Sequence, residues 1–252
     1  MRPTEQIYSN YTPEDFLVWK TLFKRQLKNL ENKVSSEFLY SLERIEFNAE
    51  VIPDFIQVNK KLDTLTGWQL VTVPNISEAD EFFKFLAQKK FTSTCWLRTI
   101  QQLDYLEEPD MFHDVFGHTP LLSNKSYSVF FESMGKLALK HIHNKEIILK
   151  LQRLYWFTIE FGLIKEGNKL KVFGAGIISS KEETENAISN RSLKEDFDIY
   201  RIMEHDFRTD ILQNKYYVID SFEQLIECLK QFETEIEEVL LQHIRVCKTA
   251  VV

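Results

Sequence analysis

Cysteine is scarce in this chain: Cys95, Cys228 and Cys247 are odd in number, far apart and without a C-x-x-C pair. That excludes a disulfide framework and leads to the expectation of reduced thiols in the cytoplasm, none of them set up as a nucleophile. No apolar run approaches the length of a membrane span, and Met1 to Tyr11 holds nothing resembling a signal peptide, so a protein neither membrane-bound nor exported is expected. Basic residues are outnumbered, 31 against 38 acidic ones, for a net charge of -7. With no long basic stripe to offset that balance, nucleic acid is not expected as a partner. Internal repeats, low-complexity segments and interdomain linkers are all missing. Glycine is sparse, and six of the seven lie between Gly117 and Gly176, which concentrates special backbone geometry in one segment.

What is present is an ordinary globular balance, 44% hydrophobic and 27% charged, with many aromatics: 20 Phe, 9 Tyr and 4 Trp. A chain of 252 residues can bury one substantial core, and a single domain over 1–252 is expected. Thr12 reads as an N-cap, Pro13 as the first helical residue, and Phe16, Trp19, Phe23, Leu27 and Leu30 as the buried face of a first helix. Further helices are expected over Ser36–Phe47, from Phe55 to a stop near Gly67, and over Ser77–Ala87, Ser126–Lys140, Lys145–Ile164 and Phe197–Met203. Strands are expected at Trp68–Pro74, Phe91–Arg98, within Lys169–Ser180 and at Tyr216–Ile219, with loop from Gln101 to Pro109. A final helix is expected over 221–246, its core stripe formed by Leu225, Leu229, Phe232, Ile236, Val239 and Leu240 and its acidic positions solvated.

The chemistry concentrates in Glu108-Pro109-Asp110-Met111-Phe112-His113-Asp114-Val115-Phe116-Gly117-His118-Thr119-Pro120. Two histidines at i and i+5 of a regular helix point about 140° apart, so a shared ion requires the helix to end or loosen between them. Gly117 and Pro120 are the residues suited to such a break. The plain alternative is a pair of satisfied polar side chains at a helix end. Glu160 is the third candidate, the one charge in Leu154 to Ile164. A carboxylate carried into so apolar a run costs several kcal/mol, on the order given for buried ions, unless a cation faces it. A buried arginine would serve. So would a metal, and two imidazoles with one carboxylate are the facial triad of non-haem Fe(II) oxygenases. Catalytic zinc also takes two histidines and a glutamate, but its usual H-E-x-x-H helix is not in this chain. His141 and His143 would diverge on a helix beside a polar turn and are assigned to the surface, while His205 and His243 have no partner in sequence.

Three strings, EEPDMFHDVFGHTPLL, LYWFTIEFGL and VFGAGIISS, in this order and spacing, closely resemble the aromatic amino acid hydroxylases, above all the bacterial phenylalanine 4-monooxygenases. The resemblance runs from about Tyr11 to Glu223. It implies a mainly α catalytic domain of packed helices with a small β-ribbon, using Fe(II), O2 and tetrahydrobiopterin or a related tetrahydropterin to hydroxylate L-phenylalanine to L-tyrosine. By that resemblance His113, His118 and Glu160 are the iron ligands. Phe82 matches the ring that stacks on the pterin, with Val73, Asn75, Ile76 and Ser77 in the adjoining loop and Asp114 reaching the pterin through water. Arg98 and Asp110 match the pair that handles the substrate's amino acid end, and Trp156, Phe161 and Pro109 the walls around its ring. Ser179 matches the residue beside His113 at the substrate end. From the residues alone, Phe82 reads as core packing and Arg98–Asp110 as a surface ion pair.

The chain departs from the family pattern at two places. Asn75 stands where relatives often carry Gly, and Thr209 about where many carry a branched aliphatic residue that helps choose the substrate. Thr209 leaves tryptophan open as a substrate, while Trp156 favours phenylalanine or tyrosine, since tryptophan hydroxylases tend to have Phe there. A zinc hydrolase and a non-catalytic relative are the remaining alternatives. No regulatory domain or long oligomerisation helix is recognised outside the catalytic segment, so a monomer is expected.

Overall fold

The computed structural model describes residues 2–104, 106 and 108–249, with side chains described as far as residue 238. Helix α1 (Pro13–Leu30) starts where its cap dictates: the Thr12 hydroxyl accepts from Asp15 N, and the Asp15 carboxylate accepts from Thr12 N at 2.7 Å. Its buried face carries Val18, Trp19, Leu22, Phe23 and Leu30. Helices α2 (Ser36–Arg44) and α3 (Phe55–Leu65) follow, capped by Ser35 and Asp54. Strands β1 (Gln69–Thr72) and β2 (Lys90–Ser93) flank α4 (Ala79–Ala87) and pair in parallel, Gln69 opposite Lys90. The strand expected over Phe91–Arg98 stops at Ser93. Beyond it the backbone serves side chains instead of a ladder, Thr94 N donating to Asp114 and Arg98 N to Asp110.

Two helical segments are wound wider than an α-helix. The first, a π-helix over Phe112–His118, continues as α5 (Thr119–Leu122) and is followed by α6 (Lys125–Lys140). Helix α7 (Lys145–Tyr155) passes into the second, Trp156–Glu160, where Phe161 N donates to Trp156 O at 2.9 Å. The helix expected to run to Ile164 therefore ends at Glu160, and Leu163–Glu166 is strand β3. It turns through Gly167 (φ 59°) into β4 (Lys169–Val172). This hairpin is the expected β-ribbon, extended into a small sheet of order β4-β3-β6-β5 by β5 (Leu193–Asp196) and β6 (Lys215–Ile219). The strand-like run after Val172 is instead helix α8 (Ala175–Ser179), and the polar stretch beyond it holds α9 (Lys181–Ile188), capped by Ser180. Helix α10 (Ile199–Glu204) and α11 (Phe222–Thr249) complete the described chain. The fold is mainly helical with small sheets. Leu225, Leu229 and Phe232 of α11 are buried, whereas Val239, Leu240, His243 and Cys247 lie outside the described side chains. No described helix is long and apolar enough to cross a membrane.

The aromatic richness fixes the orientation of the first wide helix. Phe112 and Phe116 stack at 4.7 Å and 11° and are fully buried; Trp19 meets Phe112 at 5.7 Å, and Phe23 and Phe38 meet Phe116 at 5.2 and 5.8 Å. Each phenylalanine contributes roughly 1.5–3 kcal/mol by leaving water. With that edge committed to the core, His113 and His118 are held on another.

Candidate metal centre

The i, i+5 spacing is accommodated by widening the helix. In a π-helix the hydrogen-bond register is i to i+5, which brings residues five apart toward one face. His113 Nε2 and His118 Nε2 accordingly lie 3.3 Å apart. Gly117 and Pro120 do not break the helix. A methyl group at Gly117 would sit 3.0 Å from Ala175 O and 3.1 Å from Ala175 Cβ, so this glycine allows α8 to approach, and Pro120 lies in the first turn of α5. Glu160 arrives from the second wide helix, its carbonyl packed against Gly174, where an added Cβ would be 2.4 Å away. Its Oε1 is 3.1 Å from His118 Nε2 and its Oε2 3.6 Å from His113 Nε2. The three ligand atoms lie within 4.8 Å of one another, the one such cluster among the described residues. Glu160 faces two imidazoles and no described arginine.

The hydrogen-bond network sets the form of the ligands. The Ser179 hydroxyl donates to Ala175 O at 2.8 Å, so it accepts from His113 Nδ1–H, also at 2.8 Å, and the His113 Nε2 lone pair is left facing Glu160. Burial lowers His113 to about 4, against the pull of Glu160. Burial raises Glu160, but His118, His113 and the Tyr155 hydroxyl outweigh it and hold the carboxyl at about 2. At neutral pH the pair is a neutral imidazole and a carboxylate, two acceptors face to face in a largely buried site. A divalent cation bound by all three atoms satisfies both, and two nitrogens with one oxygen are the donor set of a mononuclear Fe(II) site. Ser179→Ala should weaken Fe(II) or Co(II) binding about 10- to 100-fold, the usual effect of losing an orienting partner. Anaerobic metal titration checks this, and Ser179→Thr should restore much of the affinity.

The other candidates gather around this cluster to different degrees. Asp110 is fully buried and receives Arg98 side-on, Nε to Oδ2 and Nη2 to Oδ1, both at 2.9 Å; its Oδ1 also accepts from His113 N at 3.3 Å. This is a buried fork, not a surface pair. Trp156 and Phe161 pack at 4.6 Å on the outer side of the second wide helix, and Pro109 is half-buried next to Asp110. Phe82 meets Tyr155 edge-on at 5.2 Å, and Tyr155 in turn faces Glu160. The loop with Val73, Asn75, Ile76 and Ser77 lies further out: Val73 N donates to Ser93 O, Asn75 accepts from Arg2, and Ile76 is 72% exposed. His141 and His143 lie in the turn after α6 outside the cluster, and His205 stacks on Phe157 and contacts Tyr217.

Asp114 is buried, and its Oδ2 accepts from both Thr94 N (2.7 Å) and Thr94 Oγ1 (2.9 Å). Burial dominates and raises its pKa from 3.8 to about 7. The folded value exceeds the unfolded one, so in metal-free protein this carboxyl destabilises the fold increasingly as pH rises from 3.8 toward 7. Asp114→Asn keeps an acceptor for Thr94 and should be more stable than the parent by about 1–3 kcal/mol at pH 8. Denaturant melts should find that advantage shrinking as the pH is lowered to about 5. Thr94 and Tyr155 are the residues that sequence reasoning passed over or left without a role. Neither belongs to a local pattern that separates it from ordinary core.

Fold and site together give a candidate mononuclear metal centre of the two-histidine, one-carboxylate type, carried on a mainly helical frame. Residues 3–246 match the family described as biopterin-dependent aromatic amino acid hydroxylase. The chain is 44% identical over 223 residues to phenylalanine-4-hydroxylase of Chromobacterium violaceum, covering 88% of this chain and 75% of that protein. It is 41% identical over 237 residues to that of Ralstonia nicotianae, covering 94% and 75%. The crystal structure of the C. violaceum phenylalanine hydroxylase with bound Fe(III) superposes with a TM-score of 0.86 at 43% identity over 91% of this chain and 83% of that one. A cobalt-bound structure of the same enzyme gives a TM-score of 0.87 at 43% identity over 90% and 82%. This chain belongs to the biopterin-dependent aromatic amino acid hydroxylases.

Proposed function

We propose that the chain binds Fe(II) through His113, His118 and Glu160 and, with O2 and a tetrahydropterin, hydroxylates L-phenylalanine to L-tyrosine. The observation that carries this reading is the convergence of two imidazole nitrogens and one carboxylate from two wide helices, with His113 oriented by Ser179. When bound, the tetrahydropterin would supply the two electrons that balance O2 cleavage and iron the place where it occurs, one oxygen atom entering the aromatic ring and the other leaving on the pterin as a hydroxyl. The side chains do the placing. Three ligands on one face leave the opposite positions of an octahedral ion open to reactants. Phe82 is the platform for the pterin ring, with Val73, Asn75, Ile76 and Ser77 along its edge and Asp114 on its polar side. Arg98 uses Nε and Nη2 on Asp110, and its Nη1, which has no hydrogen-bond partner among the described residues, is the group to grip the substrate carboxylate. Trp156, Phe161 and Pro109 wall the aromatic ring and keep water from it.

The same reading makes residues 1–252 one catalytic domain, working as a cytoplasmic monomer on small molecules and not on nucleic acid. Support comes from the net charge of -7 and from Cys95 and Cys228, both free thiols. The test is product analysis of the anaerobically iron-loaded protein given O2, tetrahydropterin and each aromatic amino acid in turn. Tyrosine from phenylalanine, matched to pterin oxidised, is expected. Hydroxylation of tryptophan or tyrosine with phenylalanine untouched overturns the substrate assignment, and pterin oxidation with no product overturns the enzyme.

A further inference from the structure

The loop over 205–214 is exposed or half-exposed except at one residue, Gln213, which is 7% exposed. Both ends of its side-chain amide are used. Its Oε1 accepts from the Trp156 indole Nε1–H at 3.0 Å, and its Nε2 donates to Arg208 O at 3.0 Å and to Ile211 O at 3.2 Å. Its backbone is fixed independently, N donating to Glu183 Oε1 at 3.2 Å and O accepting from Asn186 Nδ2 at 2.7 Å. A second tie joins the loop to the same indole: Phe207 stacks on Trp156 at 4.5 Å and 18°. Trp156 opens the wide turn that ends at Glu160, and its other neighbour is Phe161 at 4.6 Å.

We infer that Gln213 is a positioning residue that locks the rotation of the Trp156 indole and closes the 205–214 loop against it, setting how large an aromatic ring the site admits. An indole held by stacking alone can tilt about its side-chain torsions. One hydrogen bond at its far end, to an acceptor whose own donors are spent on loop carbonyls, removes that freedom and couples wall to loop. A fixed wall separates a benzene ring from a larger indole ring better than a movable one. The same loop carries Thr209, about where the resemblance puts a residue that helps choose the substrate, and the amide of Gln213 connects wall and loop in a single device. This inference rests on the reading that Trp156 borders the substrate ring.

The experiment is a two-by-two set on the iron-loaded, full-length protein: parent, Gln213→Met, Trp156→Phe and the double variant. Methionine matches glutamine in length but supplies neither the acceptor nor the donors, while phenylalanine at 156 removes the indole N–H. Gln213→Met should raise KM for phenylalanine about 3- to 10-fold, the range for one neutral hydrogen bond, with a smaller change in kcat. It should also shift kcat/KM for tryptophan relative to phenylalanine toward tryptophan by a similar factor. In the Trp156→Phe background the same substitution should leave that ratio unchanged, because the bond it removes is already gone. A second readout does not involve turnover: in 1H–15N spectra of the metal-free protein, the Trp156 indole N–H, identified by its loss in Trp156→Phe, should move upfield in Gln213→Met and exchange faster with solvent. If Gln213→Met changes the substrate ratio equally in both backgrounds, or leaves it and the indole resonance unmoved, the inference is overturned. If Trp156→Phe itself leaves substrate preference unaltered, the placement of Trp156 at the substrate ring has failed instead.

Discussion

Glu160→Gln should bind Fe(II) more than about 100-fold more weakly than the parent, since losing a mere orienting partner already costs 10- to 100-fold, and its tyrosine production should fall below detection. Among the described residues, Glu160 is the carboxylate that lies within 4 Å of both imidazoles. Without it two imidazole nitrogens remain, and the amide that replaces it offers a weaker oxygen and a surplus N–H in a buried space. Such a loss could be dismissed as unfolding, so the stability of the metal-free variant is part of the expectation. Removing one partner of a buried ion pair normally destabilises by about 3–5 kcal/mol, because the other charge is stranded. Here burial holds His113 at about 4, so at pH 7 no imidazolium is stranded there, and glutamine still offers an oxygen to the nearer imidazole, His118 at 3.1 Å. Metal-free Glu160→Gln should therefore lose less than that and remain folded, while the gain in melting temperature that Fe(II) gives the parent should vanish. Metal titration and thermal melts, with and without Fe(II), check both halves.

At the substrate end the largest effect is expected from Arg98. Asp110 is fully buried, and Arg98 is its charged partner. Arg98→Leu strands that carboxylate and should destabilise the fold by about 3–5 kcal/mol. Arg98→Lys keeps the charge but replaces a planar fork by a single point, which cannot serve Asp110 side-on and a substrate carboxylate together. The lysine variant should remain folded and raise KM for phenylalanine about 10- to 100-fold, the range for one charge-assisted hydrogen bond. Weak binding of phenethylamine, which lacks the carboxylate, should be unchanged by the same substitution. If phenylalanine and phenethylamine are affected alike, Arg98 acts through Asp110 and the adjacent His113 backbone and not on the substrate.

The candidate ligands were legible because each breaks a local rule. A lone acid in Leu154 to Ile164 has to find a cation, and two histidines five apart have no common face unless the helix widens. The structure resolves both together by winding 112–118 and 156–160 as π-helix. That the second segment would also widen was not legible, because its apolar residues continue the periodicity of α7. The helix ends at Glu160 for tertiary reasons: Leu163 and Ile164 pair with Val218 and Ile219, more than fifty residues away. Val172 to Ile178 misled in the opposite sense. Its branched residues look like a strand, but the run turns helical at Ala175, where small residues let it nest between Gly117 and the Glu160 carbonyl. Thr94 and Gln213 were invisible because their roles consist of hydrogen bonds to Asp114 and Trp156, 20 and 57 residues away in the chain. Asn75 and Ile76 came from the resemblance alone, and both are exposed.

X-ray absorption of the Fe(II)-loaded protein tests the central claim most directly, because it reads the ligands of the ion without relying on turnover. The expected result is one iron per chain in a shell of nitrogen and oxygen only, with multiple scattering from two imidazoles, falling to one imidazole in His118→Ala. A shell containing sulfur, or one with no imidazole signature, would contradict the account.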